Sequence, residues 1–181
     1  MKKWLFAIGL TAALVLAGCG SSSSEEKSTS GAEETSSQEN KSNEKAVKKE
    51  ILNEQMNMAN TFRPQHSKIA NYLTLAADEE STTEAIKTAG KEAITASEKA
   101  AELAESYKIK SDLPEKIKAQ YEEALPSLQA YYSEVGKALN KSIENPDFTT
   151  ANEKFDKFQQ KLDGVYKDAG LLATDLMGEF S

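Results

Sequence analysis

The sequence predicts an all-α protein, an antiparallel four-helix bundle in up-down-up-down order, preceded by a disordered N-terminal tether. Three observations carry this. Apolar residues recur every three or four positions through four separate stretches, which places them on one face of a helix in each. Polar turns and helix-start signals separate the stretches, and short connections favour antiparallel neighbours. No stretch alternates apolar and polar residues at period two, so no strand is expected.

The chain opens with Lys2 and Lys3, then an apolar run from Trp4 to Ala17. A charged start and a short apolar run have the form of a secretory signal peptide. The run is too short for a permanent membrane span, which needs roughly 20 residues. It ends in Leu16-Ala17-Gly18-Cys19. These four residues resemble, position for position, the lipobox of bacterial lipoproteins. The resemblance covers about the first twenty residues and implies three things. The Cys19 thiol takes a diacylglyceryl group, residues 1–18 are removed, and the new amino terminus is often acylated. It also implies a lipid-anchored location on the extracytoplasmic face of the cell membrane. Diacylation fits stable anchoring, because a single acyl chain binds only marginally and reversibly.

Cys19 is the only cysteine, so on this reading the folded part has neither disulfide nor thiol chemistry. The formal net charge is −7, and loss of Lys2 and Lys3 makes it more negative by two. Such acidity argues against nucleic acid, whose phosphates need Lys and Arg. It also argues against charge-driven binding to anionic lipid, leaving the Cys19 anchor as the contact with membrane lipid.

Residues 19–43 are Ser, Glu, Thr, Lys and Asn with almost nothing apolar, the composition of a disordered tether. The bundle is expected over 44–181. Its first helix, about Glu44 to Ala77, shows Ile51, Gln55, Met58, Phe62, Ile69, Leu73 and Ala76 on one face. Pro64 lies inside; the stripe keeps phase across it, which favours a kink over a split. Asp78-Glu79-Glu80 is a turn, and Ser81-Thr82-Thr83-Glu84 reads as a capping box. The second helix, to about Tyr107, carries Ile86, Ala89, Ala93, Ala96, Ala100, Leu103 and Tyr107, a mostly alanine stripe that lets a neighbour approach closely.

Ser111-Asp112-Leu113-Pro114 is the next start signal. The third helix presents Ile117, Tyr121, Ala124, Leu128, Tyr132, Val135 and Leu139, ends near Ile143 and contains Pro126 as a second kink site. After the Asn145-Pro146-Asp147 turn, Thr150-Ala151-Asn152-Glu153 reads as another capping box. The last helix shows Phe155, Phe158, Leu162, Val165, Ala169, Leu172 and Leu176. Gly164 and Gly170 inside it suggest close helix approach or local flexibility.

No catalytic constellation emerges, and a non-enzymatic protein is expected. His66, the only histidine, falls beside the core stripe on the series Leu52, Ala59, His66, Leu73, where a hydrogen-bonded structural role is favoured. No serine sits in a Gly-x-Ser-x-Gly elbow. A di-iron bundle needs Glu-x-x-His twice, but Arg63 stands three before His66. Met56 and Met58 point to nearly opposite sides of a helix, so they cannot share one copper ion. Adjacent Glu122-Glu123 cannot face each other across a glycosidase cleft. No metal and no cofactor is expected beyond the lipid on Cys19.

Tyrosines remain. Tyr121 and Tyr132 lie on the third stripe and Tyr131 off it; with His66 they are the candidate ligand or partner patch, against the alternative that they only close the core. The expected function is a binding or protein-interaction module of the cell envelope, meeting an envelope protein or cell-wall polymer. The alternatives are a passive structural spacer and, less favoured, a small-ligand or metal binder within the bundle.

Overall fold

The computed structural model describes residues 33–181. Leu16, Ala17, Gly18, Cys19 and the tether up to residue 32 lie outside the described residues. Four long helices form the body: α1 (Glu33–Ala77), α2 (Thr83–Ser106), α3 (Glu115–Lys141) and α4 (Thr149–Asp168); a one-turn helix, α5 (Leu176–Phe180), follows. Among the described residues there is no strand.

Cross-helix contacts fix the directions. Tyr121 of α3 reaches Ile51 of α1, and Tyr132 reaches His66, so α1 and α3 run parallel. Gln129 meets Glu105, and Gly136 faces Ser97, so α2 and α3 are antiparallel. Lys161 meets Glu123, and Phe155 meets Tyr131, so α4 opposes α3. This is the expected up-down-up-down bundle.

α1 starts at Glu33, not near Glu44. The stretch 33–43 is therefore helix where the sequence reading had disordered tether. Glu, Gln and Lys are strong helix formers, and acidic residues in a first turn complement the helix dipole. Once packing fixes the turns from Val47 onward, extension upstream adds turns without a new nucleus. Pro64 and Pro126 interrupt neither helix. Each lies on an exposed face, as do Asn60 and Glu122 four residues before them, so water solvates the carbonyl that lacks its usual donor.

The buried face of α1 is Ile51, Glu54, Met58, Ala59, Phe62, His66, Ile69 and Tyr72. It departs from the expected stripe. Gln55 is half-buried, Ala76 is exposed and Leu73 is 44% exposed. The expected stripe ran through Gln55 and Leu73, whereas the real face passes through Glu54 and His66, each with a polar partner. On α2 the alanine stripe holds, and the close approach is explicit: a Cβ on Gly90 would overlap the Ile143 side chain, and one on Gly136 of α3 would lie 2.8 Å from Ser97 Oγ.

Both capping boxes are displaced. Thr82, not Ser81, caps α2 by accepting the Ala85 N–H at 3.2 Å. Thr150 caps nothing; α4 begins one residue earlier, after Asp147 accepts the Thr149 N–H at 3.0 Å. The last helix is also shorter than its apolar series. Gly170, at φ +64, ends α4, and the Leu171 N–H bonds the Tyr166 carbonyl at 2.8 Å while the Gly170 N–H bonds that of Lys167 at 2.9 Å. This double bond pattern around a left-handed residue is a Schellman stop. Leu172 is consequently 90% exposed, and Leu176 is buried only because α5 folds back. Gly170 is thus a helix stop, and a Cβ on Gly164 would meet open space, so neither marks close helix approach. Gly170→Ala should cost about 1 kcal/mol, the penalty for a Cβ in the left-handed region, read as a lower urea midpoint at unchanged slope.

Candidate functional site

Three places in the bundle combine polar chemistry with a defined geometry. The first surrounds His66, which α1 carries into the core at 3% exposure. Tyr132 Oη lies 3.4 Å from His66 Nδ1. The rings of Tyr131, Tyr132 and Phe180 stand 6.1 to 6.2 Å from the imidazole, and Tyr131 and Tyr132 lie 4.8 Å apart. The space beside the imidazole is thus filled by rings. Burial pulls the His66 pKa from 6.5 down to about 4, so the ring is neutral at physiological pH. The same cause raises the Tyr131 and Tyr132 hydroxyls above their ordinary value. Both phenols keep their protons, and Tyr132 can donate to an unprotonated Nδ1.

Of the four residues nominated from sequence, the fold brings together His66, Tyr131 and Tyr132. Tyr121 does not join them. Its hydroxyl turns to the Ile51 carbonyl at 3.5 Å, eleven residues back along α3, at the other end of the core. It therefore belongs to no shared patch with His66.

The second place was missed by sequence reasoning. Glu54 is fully buried on α1. Its Oε1 accepts the Tyr107 hydroxyl at 2.8 Å; its Oε2 accepts the Lys110 and Ser111 N–H groups at 3.0 and 2.9 Å. One carboxylate thereby holds the whole connection from α2 to α3. A buried charge is tolerated when hydrogen bonds replace water. The Tyr107 hydroxyl is pushed well up by burial first and by Glu54 second, so it remains the donor. The available signal was the 51-54-58-62 spacing, but the neighbouring neutral Gln55 fits the same period and the charged Glu54 was left off the core face.

The third place is open. A groove of about 560 Å³ lies between the early part of α1, the start of α3 and the end of α4. Val47, Ile117 and Val165 supply its apolar floor, while Glu44, Lys48, Lys116 and Asp168 supply charge. It combines apolar contact with a few charges, the ordinary make-up of a binding site. It contains no Ser, Cys or His to act as a nucleophile–base pair. Among the described residues, no group of three His, Cys, Asp or Glu side chains is placed to hold a metal, and no helix is long and apolar enough to cross a membrane.

The groove is open to solvent, whereas His66 and Glu54 are buried. The chain matches no protein-family model, no curated protein and no solved structure.

Proposed function

We propose that this chain is a lipid-anchored, extracytoplasmic helical bundle that serves as a non-enzymatic binding or protein-interaction module of the cell envelope. The observation that carries the reading is the succession of Lys2-Lys3, an apolar run and Leu16-Ala17-Gly18-Cys19. The acidic net charge supports an anchor made by lipid instead of by basic residues. The groove beside Val47 and Lys48 supports a binding role, because it lies toward the amino-terminal, anchor-side part of α1. An envelope protein or cell-wall polymer is the partner class this placement favours.

Intact mass of the protein isolated from membranes tests the anchor. The expected species begins at Cys19 and carries the added mass of a diacylglyceryl group; Cys19→Ala should abolish both changes. Retention of Met1 to Gly18 with no lipid mass would sink the reading. Photo-cross-linking from Ile117 in intact cells then tests binding. Reproducible capture of one discrete envelope component is expected, and capture of bulk lipid alone would count against it.

A passive spacer is the second reading, favoured by one feature. The helix from Glu33 to Val47 extends about 20 Å at 1.5 Å per residue. Such a length holds a body away from a surface. Full function after charge reversal of Lys48, Lys116 and Asp168 together would favour the spacer over the binder.

A further inference from the structure

The imidazole of His66 is enclosed by three elements that differ in how firmly they are held. α1 carries the ring, α3 covers it with Tyr131 and Tyr132, and α5 covers it with Phe180, whose ring lies 6.2 Å away. The α1 and α3 walls are interior turns of helices of 45 and 27 residues. Moving either breaks backbone hydrogen bonds within a long helix. α5 has five residues, and residues 171–175 join it to α4 without helix. A helix that short has no stability of its own, because nucleation costs more than one turn returns. Its place depends on burial of Leu176 and Phe180 and on two side chains. Gln159 of α4 donates to the Thr174 carbonyl at 2.8 Å and accepts the Leu176 N–H at 3.1 Å. Arg63 of α1 donates to the Glu179 carbonyl at 2.6 Å.

The pocket around the ring suits a neutral imidazole. Among the described residues its one hydrogen-bond partner is the Tyr132 hydroxyl, 3.4 Å from Nδ1, and no carboxylate forms an ion pair with it. On α1, Arg63 stands one turn before it and is already positive. On α3, the Tyr131 and Tyr132 hydroxyls keep their protons. On α5, the Asp175 side chain accepts the Gly178 N–H, and Glu179 meets Arg63 through its backbone carbonyl. Phe155 of α4, behind Tyr131 and Phe180, carries no charge. A proton added to the ring has no bonded counter-charge, so the cation needs water.

We propose that His66 is an acid-sensitive lock on α5: protonation of the imidazole releases residues 171–181 from the α1–α4 seam while the four long helices stay folded. Water reaches the cation by displacing the least stable wall. Protonation also places a second positive charge three residues from Arg63, and such like-charge neighbours on a helix repel. The residue that holds the Glu179 carbonyl is thereby weakened as well. Release exposes Phe62, Phe155 and Phe158, the rings on which Phe180 packs. The lock depends on burial of the ring and stands whether or not the chain is anchored in lipid.

The ring titrates near 4 when enclosed and near 6.5 in water. Docking of α5 is therefore strongest above pH 6.5 and weakens about fiftyfold between pH 7 and pH 4.5.

The test is residue-resolved amide hydrogen exchange of the full-length chain at those two pH values, corrected for intrinsic exchange. The Glu179 amide, bonded to the Asp175 carbonyl, and the Leu176 amide, bonded to Gln159, report on α5. Both should be less protected than the interior amides of α3. Their loss of protection on acidification should be about fiftyfold greater in the parent than in His66→Gln. Protection equal to that of α3 would mean that α5 opens only when the bundle unfolds, and would overturn the proposal. So would an equal loss in parent and variant. Phe180→Ala gives a second check that keeps the histidine. His66 is the only histidine, so its ring can be followed by NMR. Its midpoint should move from about 4 toward 6.5 in this variant, with helical circular dichroism unchanged. A midpoint still near 4 would show that α5 does not control access of water to the ring. Loss of the helical signal would show that the bundle cannot stand with α5 released; either result overturns the lock.

Discussion

Glu54→Ala should lower the stability of the bundle by about 4 kcal/mol, the largest loss expected from any single polar substitution here. The carboxylate accepts the Tyr107 hydroxyl and the Lys110 and Ser111 N–H groups, and it is fully buried. Hydrogen bonds to a charged acceptor contribute about 1.5–3 kcal/mol each, and donors left buried without a partner cost about 1–3 kcal/mol each. Lys110 is exposed, so water can replace part of what its N–H loses, which keeps the total below the simple sum. Glu54→Gln should cost about half as much. Its amide oxygen still accepts on one side, but its NH2 faces a donor on the other. Urea unfolding followed by circular dichroism at pH 7 measures both. The connection 107–114 should also become the first site of limited proteolysis, because its two anchoring N–H bonds are gone. A loss under 1 kcal/mol for the alanine variant would show that Glu54 does not organise this connection.

The second large effect is a pH dependence carried by His66. Burial depresses its pKa from 6.5 to about 4 in the folded chain. The folded state therefore favours the neutral ring, and between pH 6.5 and 4 the unfolded state binds more protons. Stability must rise with pH through that window. The contribution is complete above about pH 6.5, is lost as pH falls toward 4 and changes no further below it. At about 1.4 kcal/mol per pKa unit, the loss between pH 7 and pH 4.5 is about 2 kcal/mol. Acidic side chains add their own pH dependence, so the comparison is with His66→Gln. The parent should lose about 2 kcal/mol more than the variant between those two pH values. Parallel stability–pH curves for parent and variant would exclude the mechanism. The physical source is the burial of the imidazole among Tyr131, Tyr132 and Phe180, which shields an added charge from bulk solvent.

Helix number and core faces were largely readable in advance. Tyr121, Ala124, Leu128, Tyr132, Val135 and Leu139 of α3 are all buried, as their spacing requires. The same holds for the Ala89-Ala93-Ala96-Ala100 stripe of α2. Periodicity succeeds there because a helix surrounded by others needs one apolar face and little else. It fails where a polar residue is buried or a backbone stop overrides the pattern. Glu54 was invisible because its closest donors, Tyr107, Lys110 and Ser111, lie more than fifty residues away. Leu172 and Leu176 continued the α4 series, yet Gly170 ends the helix before them, and only the fold-back of α5 buries the second.

The candidate site divides the same way. His66, Tyr131 and Tyr132 were nominated together and lie together, because residues 131 and 132 straddle the face that parallel packing of α1 and α3 aims at residue 66. Tyr121 was nominated with them as a tyrosine of the same stripe as Tyr132, and its place on α3 puts it about three turns away.

Sequence by itself determined the helical class, the order of the four long helices and most of their buried faces, because those follow from the 3.6-residue period and from local turn chemistry. Tertiary structure alone decided that Glu54 ties the α2–α3 connection, that His66 is sealed among rings, and that the last apolar residues turn back to close the α1–α4 seam. Those outcomes depend on contacts between residues far apart in the chain, and no local pattern encodes which distant donor or ring will arrive.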